Sequence, residues 1–149
     1  MHASYATLAK IIAINLAVMF LLTYVMLDSL EHFFFSLNRF YMALLMAAPM
    51  VVLMLALMRP MFPSRRLNAA IYATAVAIFV AALALVRTQV PIGDRQFLSS
   101  MIPHHSGAIL MCERAAIKDV EVVRLCEQIV TSQQDEIAQM RGIIARIEE

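Results

Sequence analysis

The stretch Met101-Ile102-Pro103-His104-His105-Ser106-Gly107-Ala108-Ile109-Leu110-Met111-Cys112 contains two of the four histidines of the chain together with several sulfur-bearing side chains. At about 100° per residue, a helix over this stretch carries one stripe that consists of Met101, His104, Ala108 and Met111. A second stripe beside it consists of His105, Ile109 and Cys112. Imidazole and sulfur groups therefore converge on one apolar helix face, where an ordinary core helix would carry Leu.

The composition of the whole chain is that of a membrane protein. Of its 149 residues, 62% are hydrophobic, and the mean hydropathy is +0.75. Residues 1–93 contain six Lys/Arg and two Asp/Glu, a net charge of +4, whereas residues 94–149 contain six Lys/Arg and nine Asp/Glu, a net charge of −3. We therefore predict a membrane anchor followed by a mildly acidic, soluble-looking module. Such a module disfavours nucleic acid as a partner and favours cations.

Three apolar runs are each close to the ~20 residues that a helix needs to cross the hydrocarbon core. They lie at about Leu8–Leu27, Phe40–Met58 and Leu67–Val86. The first run is longer than the roughly 7–15 apolar residues of a signal peptide, and no convincing small-residue cleavage site follows it. We predict a three-helix transmembrane anchor over residues 1–90, in contact with the lipid bilayer, and a separate helical domain over residues 91–149.

The charges of the loops predict the orientation of these spans. The loop at residues 59–66 carries three arginines and no acidic residue, so the positive-inside rule places it in the cytoplasm. Lys10 near the amino terminus agrees with this orientation. We expect a protein of the bacterial inner membrane, with its amino terminus in the cytoplasm and its carboxyl-terminal hairpin in the periplasm or outside the cell.

The second span contains a series of methionines spaced four residues apart, at Met42, Met46, Met50, Met54 and Met58. Thioether groups in such a series could form a track of soft ligands for Cu(I) across the bilayer. Methionine also fills the gaps between packed helices well because its side chain is flexible. Both interpretations of the series remain open, and gap filling is favoured.

The carboxyl-terminal part reads as two helices joined by a tight turn. Asp94 is expected to cap a helix from about Arg95 to Lys118, and Asp119 to cap a second helix over residues 120–149. The second helix has an apolar seam with alternating spacings of three and four, which consists of Val123, Cys126, Val130, Gln133, Ile137, Met140, Ile144 and Ile147. The matching seam of the first helix consists of Phe97, Met101, His104, Ala108, Met111 and Ala115.

Two such seams predict an antiparallel hairpin. A module of about 55 residues buries too little apolar surface to be more than marginally stable. We therefore expect a homodimer that completes a four-helix bundle, with packing against the membrane helices of the same chain as the second choice.

His104 and His105 are the main candidates for a metal site. Adjacent helical residues point about 100° apart, so the two imidazoles would not chelate one ion in the i, i+4 manner. Met101 lies four residues before His105, Met111 lies seven residues after His104, and Met140 comes opposite the histidines if the helices pair about Asp119. Imidazole with thioether suits Cu(I), whereas imidazole alone suits Cu(II), zinc or nickel. A hydrogen-bonded core pair and a pair at a dimer interface remain as structural alternatives.

Cys112 and Cys126 each lie seven residues from Asp119 and would face each other in an antiparallel hairpin. An oxidising compartment would join them as a disulfide. Closing a loop of about 15 residues stabilises a protein by roughly 3 kcal/mol in the chain-entropy model. The alternative is a pair of free thiols that could bind a soft metal.

Several groups of residues resemble a known family. They are Asp94-Arg95-Gln96-Phe97-Leu98, Met101-Ile102-Pro103-His104-His105, Ala108-Ile109, Met111, Ile129, Gln133-Gln134-Asp135-Glu136-Ile137 and Met140. Together they cover about residues 94–147 and resemble the domain-of-unknown-function 305 family, a ferritin-like helical group with copper-binding members. The resemblance implies an extracytoplasmic helical bundle that handles copper, and the positions that match its motif are Met101, His104, His105, Met111 and Met140. The chain departs from the family pattern in its three membrane spans and at Cys112 and Cys126, where small residues are usual.

The sequence therefore predicts an all-α membrane protein that is not an enzyme. Its hairpin would bind copper, with Cu(I) favoured over Cu(II), or another transition metal, for sequestration or delivery. The alternative is a structural or assembly protein whose disulfide-stapled hairpin is a dimerisation module and whose histidines are core groups. A weaker third hypothesis is metal conduction by His32 and the methionine series of the second span.

Overall fold

The computed structural model of the protein describes residues 5–148, and within them all regular structure is helical. The predicted all-α class is confirmed. Five α-helices follow one another in the order α1 (Tyr5–Leu22), α2 (Leu37–Leu57), α3 (Arg65–Thr88), α4 (Asp94–Arg114) and α5 (Val120–Ile147). Short 3₁₀ turns lie at Leu30–His32 and Arg59–Met61.

The first three helices, of 18, 21 and 24 residues, are long and apolar enough to cross a membrane. Their number agrees with the three predicted spans, but α1 ends at Leu22 rather than at Leu27. Its last turn is closed by Thr23, whose hydroxyl donates a hydrogen bond to the carbonyl of Phe20 (2.6 Å). The residues after Thr23 form a loop that belongs to the second compact unit of the chain.

The chain divides into two compact units. The first comprises the described residues up to Thr23 together with Asn38–Pro91. Its buried cluster consists of Leu8, Leu55 and Phe62. Asn68 of α3 accepts a hydrogen bond from the Tyr5 hydroxyl (2.9 Å) and donates one to the carbonyl of Phe62 (2.9 Å). In the methionine series, Met54 packs against this cluster, whereas Met42, Met46 and Met50 are exposed in the chain alone.

The second unit joins the loop Tyr24–Leu37 to the residues from Ile92 onward. Ser106 of α4 is fully buried under this loop, and its hydroxyl accepts a hydrogen bond from the backbone N–H of Asp28 (2.8 Å). His32 of the loop is hydrogen-bonded to the same hydroxyl through Nδ1 (2.9 Å). The predicted division at residue 90 assigned this loop to the membrane anchor, whereas the hydrogen bonds of Asp28 and His32 join it to α4.

The helices α4 and α5 form the predicted antiparallel hairpin. Their shared core consists of Leu98, Ile102, Ile109, Ile137, Met140 and Ile144. Asp119 caps α5 as predicted, since its carboxylate accepts hydrogen bonds from the backbone N–H groups of Glu121 (2.9 Å) and Val122 (3.1 Å). This cap satisfies two of the donors that a helix start leaves unpaired.

Both predicted ends of α4 are wrong by a few residues. Gly93 rather than Asp94 is the N-cap, and Asp94 lies in the first turn, where a carboxylate interacts favourably with the helix dipole. The helix ends at Arg114 instead of Lys118, because Ala115 has extended backbone angles (φ −70°, ψ 137°). Asp119 is also extended (φ −68°, ψ 127°). The chain therefore reverses direction through non-helical residues between the two helices.

The predicted seam of α4 is wrong by one residue. The buried stripe that faces α5 consists of Leu98, Ile102, His105 and Ile109, whereas Phe97 is 50% exposed and Met111 58% exposed. The reason is that α4 is covered on two sides, by α5 and by the loop Tyr24–Leu37. Ser106 and Gly107, which contact the loop, are buried as well, and so are Ser99 and Pro103. The predicted seam of α5 is correct in its centre, while its ends at Val123 and Ile147 are exposed.

The predicted disulfide is present between Cys112 and Cys126, whose Cα atoms are 5.2 Å apart. It joins the last turn of α4 to the second turn of α5. The equal spacing of the two cysteines from Asp119 therefore predicted their pairing correctly.

The position of the buried stripe predicts the effect of two substitutions. Ile102→Ala removes a fully buried side chain and should lower the free energy of unfolding by about 2–5 kcal/mol. Phe97→Ala removes a larger but half-exposed side chain and should cost less. Thermal and denaturant unfolding of the chain in detergent micelles measures both, and a larger cost for Phe97→Ala would show that the predicted seam is the buried one.

Candidate metal-binding site

The five predicted metal ligands lie in different environments. His104 is exposed, Met111 is 58% exposed, and Met101 is partly buried against the hairpin core. His105 is only 6% exposed and Met140 only 8%. The exposed and the buried groups therefore have to be considered separately.

Both ring nitrogens of His105 take part in hydrogen bonds. Nδ1 lies 2.9 Å from the backbone carbonyl oxygen of Met101, and Nε2 lies 2.7 Å from Oε2 of Glu136 on α5. A carbonyl oxygen can only accept, so Nδ1 carries a proton and donates it. Nε2 and the carboxylate then share a further proton, which makes the contact a charge-assisted hydrogen bond. His105 therefore links α4 to α5, as expected for a hydrogen-bonded core group.

Glu136 was missed as a functional residue because it lies outside the apolar seam predicted for α5. Its Oε1 accepts a hydrogen bond from the Ser132 hydroxyl (2.9 Å), one turn earlier in α5. The hydrogen bonds from His105 and, to a lesser degree, from Ser132 hold the pKa of Glu136 below its ordinary value. The signal that could have found it is its place in the run 133–137, which the family resemblance had already included.

The bonding of His105 limits its use as a ligand. An Nδ1–H group donated to a carbonyl is the arrangement that usually orients a metal-binding imidazole and leaves Nε2 for the ion. In this structure Nε2 is hydrogen-bonded to the Glu136 carboxylate instead. A metal ion could bind Nε2 only by breaking this hydrogen bond. Met140 is enclosed in the hairpin core, and its sulfur serves packing there.

The remaining candidates share a face of α4 that neither α5 nor the loop Tyr24–Leu37 covers. This uncovered face consists of the exposed side chains of Phe97, His104 and Met111 and the partly exposed side chains of Ser100 and Ala108, with the partly exposed Met101 at its edge. Met101 and His104 are separated by about 4.5 Å along the helix axis, so both can reach one ion, whereas Met111 lies about 10 Å beyond His104. The donors fit a soft ion in chemistry but supply only part of a coordination shell.

Among residues 5–148, no group of three or more His, Cys, Asp or Glu side chains is placed so that it could hold a metal ion. The groups that the structure does bring together are His105 with Glu136, and His32 with Ser106. Ser106 is fully buried, so its hydroxyl is not accessible to a substrate and serves to fasten the loop to α4.

The lowered pKa of Glu136 predicts a pH dependence of stability. The charged form is favoured by folding, so its contribution is present at neutral pH and is lost as the pH falls below the ordinary carboxyl value of 4.5. Glu136→Gln should abolish this part of the pH dependence, whereas Glu127→Gln, a change at another exposed carboxylate of α5, should not. Thermal unfolding between neutral and acidic pH measures the difference, and parallel curves for the wild type and Glu136→Gln would contradict it.

Known proteins resemble this chain over its carboxyl-terminal part and beyond. The family described as "Domain of unknown function (DUF305)" matches residues 74–144, which include the second half of α3 and most of the hairpin. "Uncharacterized protein L153" of Acanthamoeba polyphaga mimivirus is 40% identical over 110 residues, which cover 72% of this chain and 70% of that protein. No solved structure matches the chain. On these grounds the protein belongs to the DUF305 family.

Proposed function

We propose that the protein is a membrane-anchored metal-binding protein that holds copper for sequestration or delivery, and that it is not an enzyme. The observation that carries this proposal is the uncovered face of α4, on which His104 and Met111 are exposed. Imidazole and thioether together suit Cu(I) better than Cu(II). Neither side chain belongs to a buried core cluster of the described residues, so packing within one chain does not explain them.

Of the five predicted residues, the proposed site uses three as metal ligands, and the other two have structural roles. His104 and Met101 are the central donors, and Met111 is a further donor on the same face. His105 acts through its bond to Glu136, which fixes α4 against α5 behind His104. Met140 contributes through packing, since it lies in the core beneath this part of the hairpin.

A second copy of the chain would complete the shell. Two copies of α4 that pair antiparallel about a twofold axis near Ala108 would place His104 of one copy beside Met111 of the other, because such an interface is self-complementary. The small side chain of Ala108 permits close approach of the two helices at that axis. The pairing would create two equivalent sites and would bring the four helices of two hairpins together.

The contacts of the loop Tyr24–Leu37 support the proposed topology. If α2 and α3 each cross the membrane once, this loop and the hairpin emerge on the same side. The hydrogen bonds of Asp28 and His32 to Ser106 are consistent with that arrangement. Together with the arginine-rich loop at residues 59–66, they support a hairpin outside the cytoplasm. A disulfide also suits an oxidising compartment. A bacterial inner membrane stays a prediction.

Titration of Cu(I) tests the metal site. In the purified full-length chain in detergent, competition with a chromogenic chelator should show that His104→Ala weakens binding by more than about tenfold, which corresponds to about 1.4 kcal/mol. Met26→Leu, at an exposed methionine of the loop, serves as the control and should bind as the wild type does. Equal affinity of the wild type and His104→Ala would remove His104 from the site.

A dimer-blocking substitution tests the completion of the site. Ala108→Arg introduces a bulky charge on the uncovered face and should yield a monomer that has lost tight copper binding. Ala138→Arg makes the same change at an exposed position of α5 and should leave both properties intact. Mass measurement in detergent and copper titration of each variant provide the comparison, and tight binding by a monomeric Ala108→Arg chain would contradict the shared site.

The second candidate function is a structural or assembly module, in which the same uncovered face serves dimerisation alone. The disulfide favours it, because a stapled hairpin is a rigid building block for a bundle. A dimer that persists in His104→Ala, formed by a wild-type chain that binds no copper, would establish this function instead.

A further inference from the structure

The disulfide lies at the border between the packed and the unpacked part of the hairpin. Ile109, which is fully buried in the core, lies one turn before Cys112, and Val130, which packs against that core, lies one turn after Cys126. Beyond the disulfide, the tip of the hairpin exposes Val120 and Leu125 and contributes nothing to the core cluster. The two sulfur atoms are therefore positioned by well-packed residues on one side only.

The disulfide is also open to solvent. Cys112 and Cys126 are both partly exposed. They line an open groove whose polar rim includes Glu113, Glu127 and Thr131. An exposed disulfide beside an open groove can be reached by an attacking thiolate, because exchange requires access to one of the sulfur atoms.

We propose that Cys112 and Cys126, once reduced, form a Cu(I) site of their own, separate from the uncovered face of α4. A dithiol reductant breaks the S–S bond by donating two electrons and two protons, and it leaves as a disulfide. Cu(I) then displaces one proton from each thiol and forms two Cu–S bonds. The site shares no residue with the site on the uncovered face, so it does not depend on that proposed function.

The structure keeps the two sulfur atoms close after reduction. The Cα atoms of the cysteines are 5.2 Å apart, and this approach is also maintained by the core layer of Ile109 and Val130 and by the bond from His105 to Glu136. Reduction therefore leaves two thiols facing each other across the helix pair. A facing pair can bind one ion with little loss of conformational freedom.

The surroundings favour a soft monovalent ion. Thiolates prefer Cu(I), which accepts few ligands, whereas Zn²⁺ requires about four in a structural site. The carboxylates of Glu113 and Glu127 line the groove beside the two sulfur atoms and attract cations.

The test compares the oxidised and the reduced full-length chain in detergent. Phosphine reduces one sample, the reductant is removed without oxygen, and Cu(I) alone is titrated against a chromogenic chelator. The reduced wild type should bind about one more Cu(I) per chain than the oxidised wild type, with sulfur-only coordination of that ion in X-ray absorption. His104→Ala should show the same gain, which separates this site from the one on the uncovered face.

A double substitution provides the control. Cys112→Ser/Cys126→Ser should bind the same amount of Cu(I) under both conditions, and zinc should show no corresponding tight site in the reduced wild type. Equal binding by the oxidised and reduced wild type would overturn the proposal. So would a gain that persists in the double variant, or loss of the helical circular dichroism of the hairpin upon reduction.

Discussion

The coverage of α4 from two sides is the constraint on which the second unit depends. One side of the helix packs on α5 through aliphatic side chains, and another lies under the loop Tyr24–Leu37, where a fully buried serine is fastened to the backbone of the loop. A helix has only a limited circumference, so this double burial determines which residues stay accessible. The uncovered face that remains is the one that carries His104 and Met111.

The hydrogen bond between His105 and Glu136 fixes the position of α4 along α5. Aliphatic contacts tolerate small sliding movements of two helices, whereas a hydrogen bond between a buried imidazole and a carboxylate has narrow limits of distance and angle. Since the other nitrogen of the same ring is bound to the carbonyl of Met101, the imidazole has a single orientation. Two adjacent histidines thus differ sharply in role: one holds the helices in register, and its neighbour is exposed on the outer face.

The sequence predicted the elements of the fold well and their burial less well. Hydropathy and caps located five helices, and the placement of Cys112 and Cys126 about Asp119 predicted the disulfide. The seam of α4 was wrong by one residue because a heptad pattern assumes one partner helix, and the second partner here is an irregular loop from a distant part of the sequence. Glu136 was missed for a related reason, since its partner is 31 residues away and the periodicity of α5 alone assigns it to solvent.

The loop Tyr24–Leu37 has a consequence for work with fragments of this protein. A fragment that begins at about residue 92 would keep both helices and the disulfide, yet it would expose Ser106 and Gly107, which the loop contacts in the whole chain. Such a fragment would present to water a surface that never meets solvent in the native fold, and it would be prone to self-association there. Oligomers observed for the isolated hairpin would then report an artificial interface, so its assembly has to be studied with the loop attached.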